Sequence, residues 1–312
     1  MRTLFFIPIL IAMLVLPFVL SEFYIMLVTE SILIGIFAMS FDLMIGYAGL
    51  VSFGHAAFFG AGGYALAYAL LRWGTSVWVA LGLAAIVAII FSIVIGALSI
   101  RAKGVYFAIL TLAFAEVMYR IVFYSDTFGG SDGMIGLPIP ILLFPGGIAL
   151  SLAKPSSFYF FALAYGLIAY AVIRRITRSP FGKVLEAIRE NEERTSFVGH
   201  NVKRYKMICF TFAALFAGLS GAIYSLLKSF ADTEQLHFLL SGKVIIITLI
   251  GGLRTLLGPV VGAVFITFLE VLIGRYFEYY LILIGLSFVG VVIFLPRGIF
   301  GTLQYHLMGK RK

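Results

Sequence analysis

Charge is scarce in this chain: Asp, Glu, Lys and Arg make up 12% of its 312 residues, against 62% hydrophobic ones. A soluble protein of this length has no way to hide so much apolar surface, so lipid is the expected solvent. Cysteine is scarcer still. The single thiol, Cys209, lies in an apolar run, which excludes an intrachain disulfide and a cysteine metal cluster. There is no G-x-x-x-x-G-K-[ST] phosphate loop, since Gly242-Lys243 is followed by Val244. H-E-x-x-H, C-x-x-C and any hydrolytic triad are also missing. No metal, no cofactor and no catalytic residue is therefore expected in this chain, which reads as a non-enzyme. If ATP drives it, ATP-Mg is bound by a partner ATPase polypeptide.

What is present is a series of long apolar runs, with a mean hydropathy of +1.09. Each approaches the roughly 20 residues that a spanning helix needs. The runs are 4–20, 24–45, 50–71, 77–98, 105–123, 157–174, 205–228, 239–253, 257–274 and 279–295. They predict an all-α, polytopic transmembrane bundle of about ten spans, eight at the fewest, in a single domain over 1–312. The first run follows Arg2 and has the look of a signal peptide. It ends in Pro17-Phe18-Val19-Leu20 without a small-residue cleavage site, so it is read as a span. The net charge of +9 sits at span ends and in one loop, 175–204. That distribution fits orientation in a membrane and gives no reason to expect nucleic acid. With the 175–204 loop inside, parity also places Arg101, Lys103, Arg254, Arg297 and both termini on the cytoplasmic side, with Arg72 and Lys154 as exceptions. Loop 124–156, with Asp126 and Asp132, falls outside. Its second part, 138–157, is apolar but broken by prolines and reads as a loop dipping into the interface.

Two runs are interrupted. The first, 50–71, carries Gly54, His55 and Gly62 and follows Gly46 and Gly49; the second, 239–253, reaches Gly251 and Gly252, with Gly258-Pro259 following. Small residues at this spacing let helices approach closely in lipid. Alternatively, they mark discontinuous helices whose freed backbone lines a path, with His55 as a donor. The sequence is compatible with both readings, and both runs cross or both turn back, because parity breaks otherwise. Four charges fall in or near spans: Asp42, Glu116, Arg120 and Glu270. A charge at the bilayer centre costs about 2.5–3.5 kcal/mol. Glu116 and Arg120, four residues apart, are expected to pair. Gly129-Gly130-Ser131-Asp132-Gly133 has turn chemistry; Gly129, Gly130 and Asp132 are also candidates for an external contact. In the basic loop, Ser179-Pro180 opens an amphipathic helix. Phe181, Val184, Leu185 and Ile188 form one apolar stripe, suited to a groove on a soluble partner or to the bilayer surface.

Several segments, in order, resemble the permease subunits of ABC importers for branched-chain amino acids, specifically the LivM branch. They are Gly46–Tyr64, Gly104–Glu116, Thr127–Pro138, Ser179–Lys206 and Gly251–Ala263. The resemblance covers about 30–300 and implies a permease working by alternating access. It implies a second, paralogous permease, two ATP-binding subunits and an external substrate-binding protein, in the inner membrane of a prokaryote. The urea-type permeases of the same family look alike. Glu186-Ala187 stands for the start of the E-A-A…G loop that docks on the ATPase, although the first glycine after it is Gly199. The docking role therefore carries over to the helix as a whole. A stand-alone secondary transporter would show a row of ionisable residues at the midplane, which is missing here. Cysteines placed at Ser196 and Thr302 should be labelled by an impermeant thiol reagent from the cytoplasmic side alone, and one at Ser131 from the outer side alone. Outer labelling at Ser196 would overturn the orientation.

Overall fold

In lipid a long apolar segment satisfies its own backbone only as a helix, and the chain follows that rule. The computed structural model describes residues 12–139, 141–143, 149–275, 280–295 and 297–308. Helix α1 covers 12–19; the earlier part of the first expected span, 4–11, and the tail Lys310–Lys312 lie outside the described residues. Next come α2 (Glu22–Asp42), continued by a π-helical turn (Leu43–Ala48), α3 (His55–Trp73), α4 (Val77–Ser99) and α5 (Val105–Phe123). After the outer loop follow α6 (Pro155–Arg178), α7 (Pro180–Glu190), α8 (Glu192–Phe197) and α9 (Val202–Lys228). The last helices are α10 (Phe238–Gly251), α11 (Gly258–Gly274), α12 (Tyr280–Phe294) and α13 (Gly298–Met308). The bundle is all-α as expected. Among the described residues five helices are long and apolar enough to cross a membrane: α2 with its π turn, α4, α5, α6 and α9.

The helix ends follow local chemistry. Pro155 and Pro180 sit in the first turns of α6 and α7, where a missing N–H costs nothing. Side chains of Ser76, Ser179, Asn191 and Asn201 accept backbone N–H groups that the first turns of α4, α7, α8 and α9 leave free. The outer loop departs from the expected irregular segment. It carries three short strands, β1 (Met134–Ile135), β2 (Ile141–Leu143) and β3 (Ala149–Ser151); a fourth, β4 (Phe230–Ala231), follows α9 far along the chain. β2 pairs with β3 as an antiparallel hairpin, and β1 pairs with β4, Met134 opposite Ala231. The outer loop is thereby tied to the stretch between α9 and α10.

Helix α2 is the axis of the bundle, with Phe37 and Phe41 fully buried and α6, α9, α10 and α11 packed around it. α10 runs in the same direction as α2. The Thr248 hydroxyl lies 3.4 Å from the Ala38 carbonyl, and Arg254 N–H reaches Asp42. α3 lies flush on α9. A Cβ at Gly62 would run into the Gly218 carbonyl, and one at Gly221 into the Phe59 carbonyl, so these two backbones touch directly, as small residues allow in membranes. The outward positions of α4 are apolar, among them Val79, Ile86, Ile90, Ile93 and Val94. Replacing Gly221 by Ala should destabilise the purified protein by about 1–3 kcal/mol, read as a lower thermal midpoint in detergent. Gly82→Ala, where a Cβ meets nothing within 4 Å, should leave the midpoint unchanged or raise it.

Candidate functional site

The two interrupted runs are two helix breaks that meet. At the first, α2 passes through its π turn to Gly49, which takes a left-handed φ of 70°. The chain then runs without helix to Gly54. His55, the first residue of α3, lies beside the last turns of α2, before the π turn and not after it. Its ring stacks on Phe37 with centroids 5.1 Å apart, and its Nε2 is 2.9 Å from Ser40 Oγ. Ser40 precedes Ala48 by about 12 Å of helix, so residues 49–54 climb back along α2. The amides freed there find partners. Gly54 N–H donates to Ser52 Oγ at 3.2 Å, and Ala56 N–H donates to Ser241 Oγ on α10 at 2.8 Å. His55 is fully buried, its Nδ1 without a partner. A Cβ on Gly54 would strike the Thr111 carbonyl, which places α5 across the break.

The second break joins α10 to α11. Gly252, Arg254 and Leu256 have φ of 111°, 63° and 59°. The last two are not glycines, and such a backbone costs about 1–3 kcal/mol per residue unless its surroundings hold it. Thr255 closes the turn: its hydroxyl donates to the Gly252 carbonyl at 2.7 Å and accepts Gly258 N–H at 2.9 Å. Asp42, fully buried at the end of α2, accepts Arg254 N–H at 2.9 Å. The Tyr47 hydroxyl donates to the Arg254 carbonyl at 3.3 Å. Gly251 and Gly258 touch backbone to backbone, and Gly298 at the start of α13 presses on Gly252.

Helix α7 covers this end of the bundle, where the basic residues gather. It is where the sequence puts it, but its apolar stripe faces inward. Leu185 and Ile188 are buried in the chain itself, Val184 is half-buried and Phe181 stacks on Tyr205. This corrects the expected docking of the stripe into a partner's groove: those side chains already have a partner, the bundle. The other face shows Lys183, Ala187 and Glu190. Glu186 is between the two. It accepts Lys183 Nζ at 2.9 Å and Arg254 Nη2 at 3.3 Å; Lys183, with Arg254 beside it, holds the Glu186 carboxyl below its ordinary pKa. Arg189 Nη1 donates to the Gly46 carbonyl at 2.7 Å. Beyond α7, Phe197 and Val198 stand 88% and 74% exposed.

Between α7, the first break and the start of α5 lies a cavity of about 490 Å³. Its walls include Gly49, Val51, Phe53, Lys103, Arg189 and Glu192. Lys206, nearly buried, closes one side by donating to Glu192 Oε2 at 2.6 Å. Of the expected path residues, Gly49 lines this cavity. Gly46, Gly251, Gly252 and Gly258 shape the breaks, and Gly54 and Gly62 are points of helix contact. Gly129 and Gly130 take left-handed turns at the opposite end, where Asp132 is exposed. Sequence reasoning missed Ser241, Arg189, Arg254 and the Glu192–Lys206 pair. The lone Cys209 is buried, its Sγ 3.5 Å from the Leu43 carbonyl at the π turn. Among the described residues no three His, Cys, Asp or Glu side chains meet as a metal would require.

A polytopic helical bundle with two apposed breaks and a polar cavity at its basic end has the build of a membrane permease. The chain belongs to the family described as branched-chain amino acid transport system / permease component, whose profile matches residues 23–292. It is 27% identical to the high-affinity branched-chain amino acid transport system permease protein LivM of Escherichia coli, over 96% of this chain and 75% of that protein. The LivM protein of Salmonella typhimurium matches to the same extent, 27% over the same shares. A probable branched-chain amino acid transport permease protein LivM of Methanocaldococcus jannaschii is 30% identical over 46% of this chain and 41% of its own length. No solved structure matches. If the breaks depend on each other, Ser241→Ala, which orphans Ala56 N–H, should cost about 1–3 kcal/mol. Thermal unfolding of the purified permease measures it, and an unchanged midpoint would refute the dependence.

Proposed function

We propose that this chain is the membrane-spanning subunit of an ATP-binding-cassette importer that carries leucine, isoleucine or valine by alternating access. ATP-Mg is bound and hydrolysed by two separate ATP-binding subunits. A second, paralogous permease completes the path, and an external binding protein delivers the amino acid. The membrane is the cytoplasmic membrane of a prokaryote. One observation carries this reading beyond family membership. The basic-end cavity has a wall made of the α7–α8 loop itself, through Ile188–Glu192, facing the first break and α5. A movement of that loop must reshape the cavity.

The contrast between α4 and α5 supports a second permease. No charged residue occurs in α4, Val77–Ser99, and its outward face suits lipid. α5 is left still more open by the chain but carries the Glu116–Arg120 pair at 2.7 Å, with Arg120 side-chain exposure of 55%. Charge facing acyl chains is costly; a protein neighbour removes that cost. At the opposite end, the turn holding Gly129, Gly130 and Asp132 is the surface offered to the binding protein.

For the ATP-binding subunit, the apolar knob Phe197–Val198 at the end of α8 is the anchor, flanked by the outward face of α7. A few large side chains buried at the centre of an interface carry most of the energy of such contacts. Phe197→Asp with Val198→Asp should weaken retention of the ATP-binding subunit by on the order of 100-fold and abolish ATP-dependent leucine uptake in vesicles, while the permease still inserts. Full retention and uptake by that double variant would sink the assignment. Leu185→Asp is the contrasting case, expected to lower the yield of folded permease because its site is interior.

A further inference from the structure

Arg254 occupies a backbone position, φ 63°, that glycine holds without strain and that side chains rarely tolerate. Three of its polar groups each hold a different element. Its N–H is fixed by Asp42 of α2, its carbonyl by the Tyr47 hydroxyl of the π turn, and its guanidinium reaches Glu186 of α7. One turn along α7, Arg189 donates to the Gly46 carbonyl. The cytoplasmic helix therefore grips the first break through Arg189 and the second through Arg254. The two grips differ in kind from the buried contacts around them. The Asp42 bond is sealed inside the protein and holds the fold. The Arg254–Glu186 pair is open to water, at 46% and 21% side-chain exposure, and such pairs add little to stability.

We propose that Arg254 is a positioning residue that joins α7 to the second helix break, so that both breaks follow α7 as one body when an ATP-binding subunit moves it. This rests on the functional reading above, in which the α7–α8 loop is the surface that subunit moves. The arginine is tolerated at a strained position because its side chain does what glycine there would not: it carries displacement from the cytoplasmic loop to α10 and α11. Without it, α7 would pull on the first break alone, and the cavity would open against a stationary α10–α11 turn.

The test uses Arg254→Gly, which keeps the backbone conformation and removes the guanidinium, with Glu186→Ala and the exchange Glu186→Arg/Arg254→Glu. In the purified permease alone, amide hydrogen exchange across 252–257 should speed up in both single variants and return towards the unmodified rate in the exchanged pair. In the full complex in vesicles, leucine accumulated per ATP hydrolysed should fall by about tenfold in each single variant and recover in the pair, within the range reported for residues that carry coupling. A purely structural role for Arg254 would instead lower the thermal midpoint and leave that ratio alone. Unchanged exchange in Arg254→Gly and Glu186→Ala, or an unchanged ratio of transport to hydrolysis, overturns the proposal. Absence of ATP-dependent leucine uptake by the unmodified chain would count against the functional reading; the exchange measurement, which needs no ATP-binding subunit, still decides the link.

Discussion

A helix that stops within a packed bundle leaves buried backbone groups, and each such group costs about 1–3 kcal/mol unless protein supplies a partner. This chain stops two helices, and the way it meets that demand organises the fold. The first break is satisfied in part by Ser241, which belongs to the helix leading into the second break. The second is satisfied in part by Asp42, which belongs to the helix leading into the first. Each break is thus completed by the other's helix. Neither half can settle into its irregular conformation alone, so α2 and α10 must lie side by side, parallel, before either turn is stable.

That mutual support explains where rigidity and openness fall. The glycine contacts of α3 with α9 and of α2 with α11 bring backbones together and fix the walls. The cavity at the basic end sits between these fixed parts and the α7–α8 loop, which is held to the breaks by a few polar bonds. A single exposed ion pair is easily exchanged, whereas a backbone-on-backbone helix contact is not continuously deformable. The moving element and the fixed frame are distinguished by the chemistry of their contacts.

Much of the fold is legible in the sequence, because a membrane span is a matter of composition: the apolar runs from 24 to 274 each fall on a helix. The amphipathic helix at Pro180–Glu190 is legible from its period and its Ser-Pro start. Its partner is not. A stripe of Phe181, Val184, Leu185 and Ile188 says that one face is covered, and a periodicity cannot say whether by another chain or by its own bundle. Glycines also read ambiguously, since the same residue serves a turn at Gly49 and a close contact at Gly62. Strands of two or three residues have no pattern to find, so the β1–β4 pairing was invisible. Helix α13 was missed because the tail reads only as a basic cluster. Arg254 and Leu256 hid the second turn's conformation, because a left-handed backbone is expected at glycine.

The sealed Cys209 has a consequence of another kind. Its sulfur sits against the Leu43 carbonyl, and the residue has no exposed surface. A protein that spans a membrane stands between an oxidising exterior and a reducing interior. With its only thiol enclosed, this chain has no sulfur that either side can oxidise, cap or exchange at cysteine, so the turn at the end of α2 is indifferent to the redox state of both compartments.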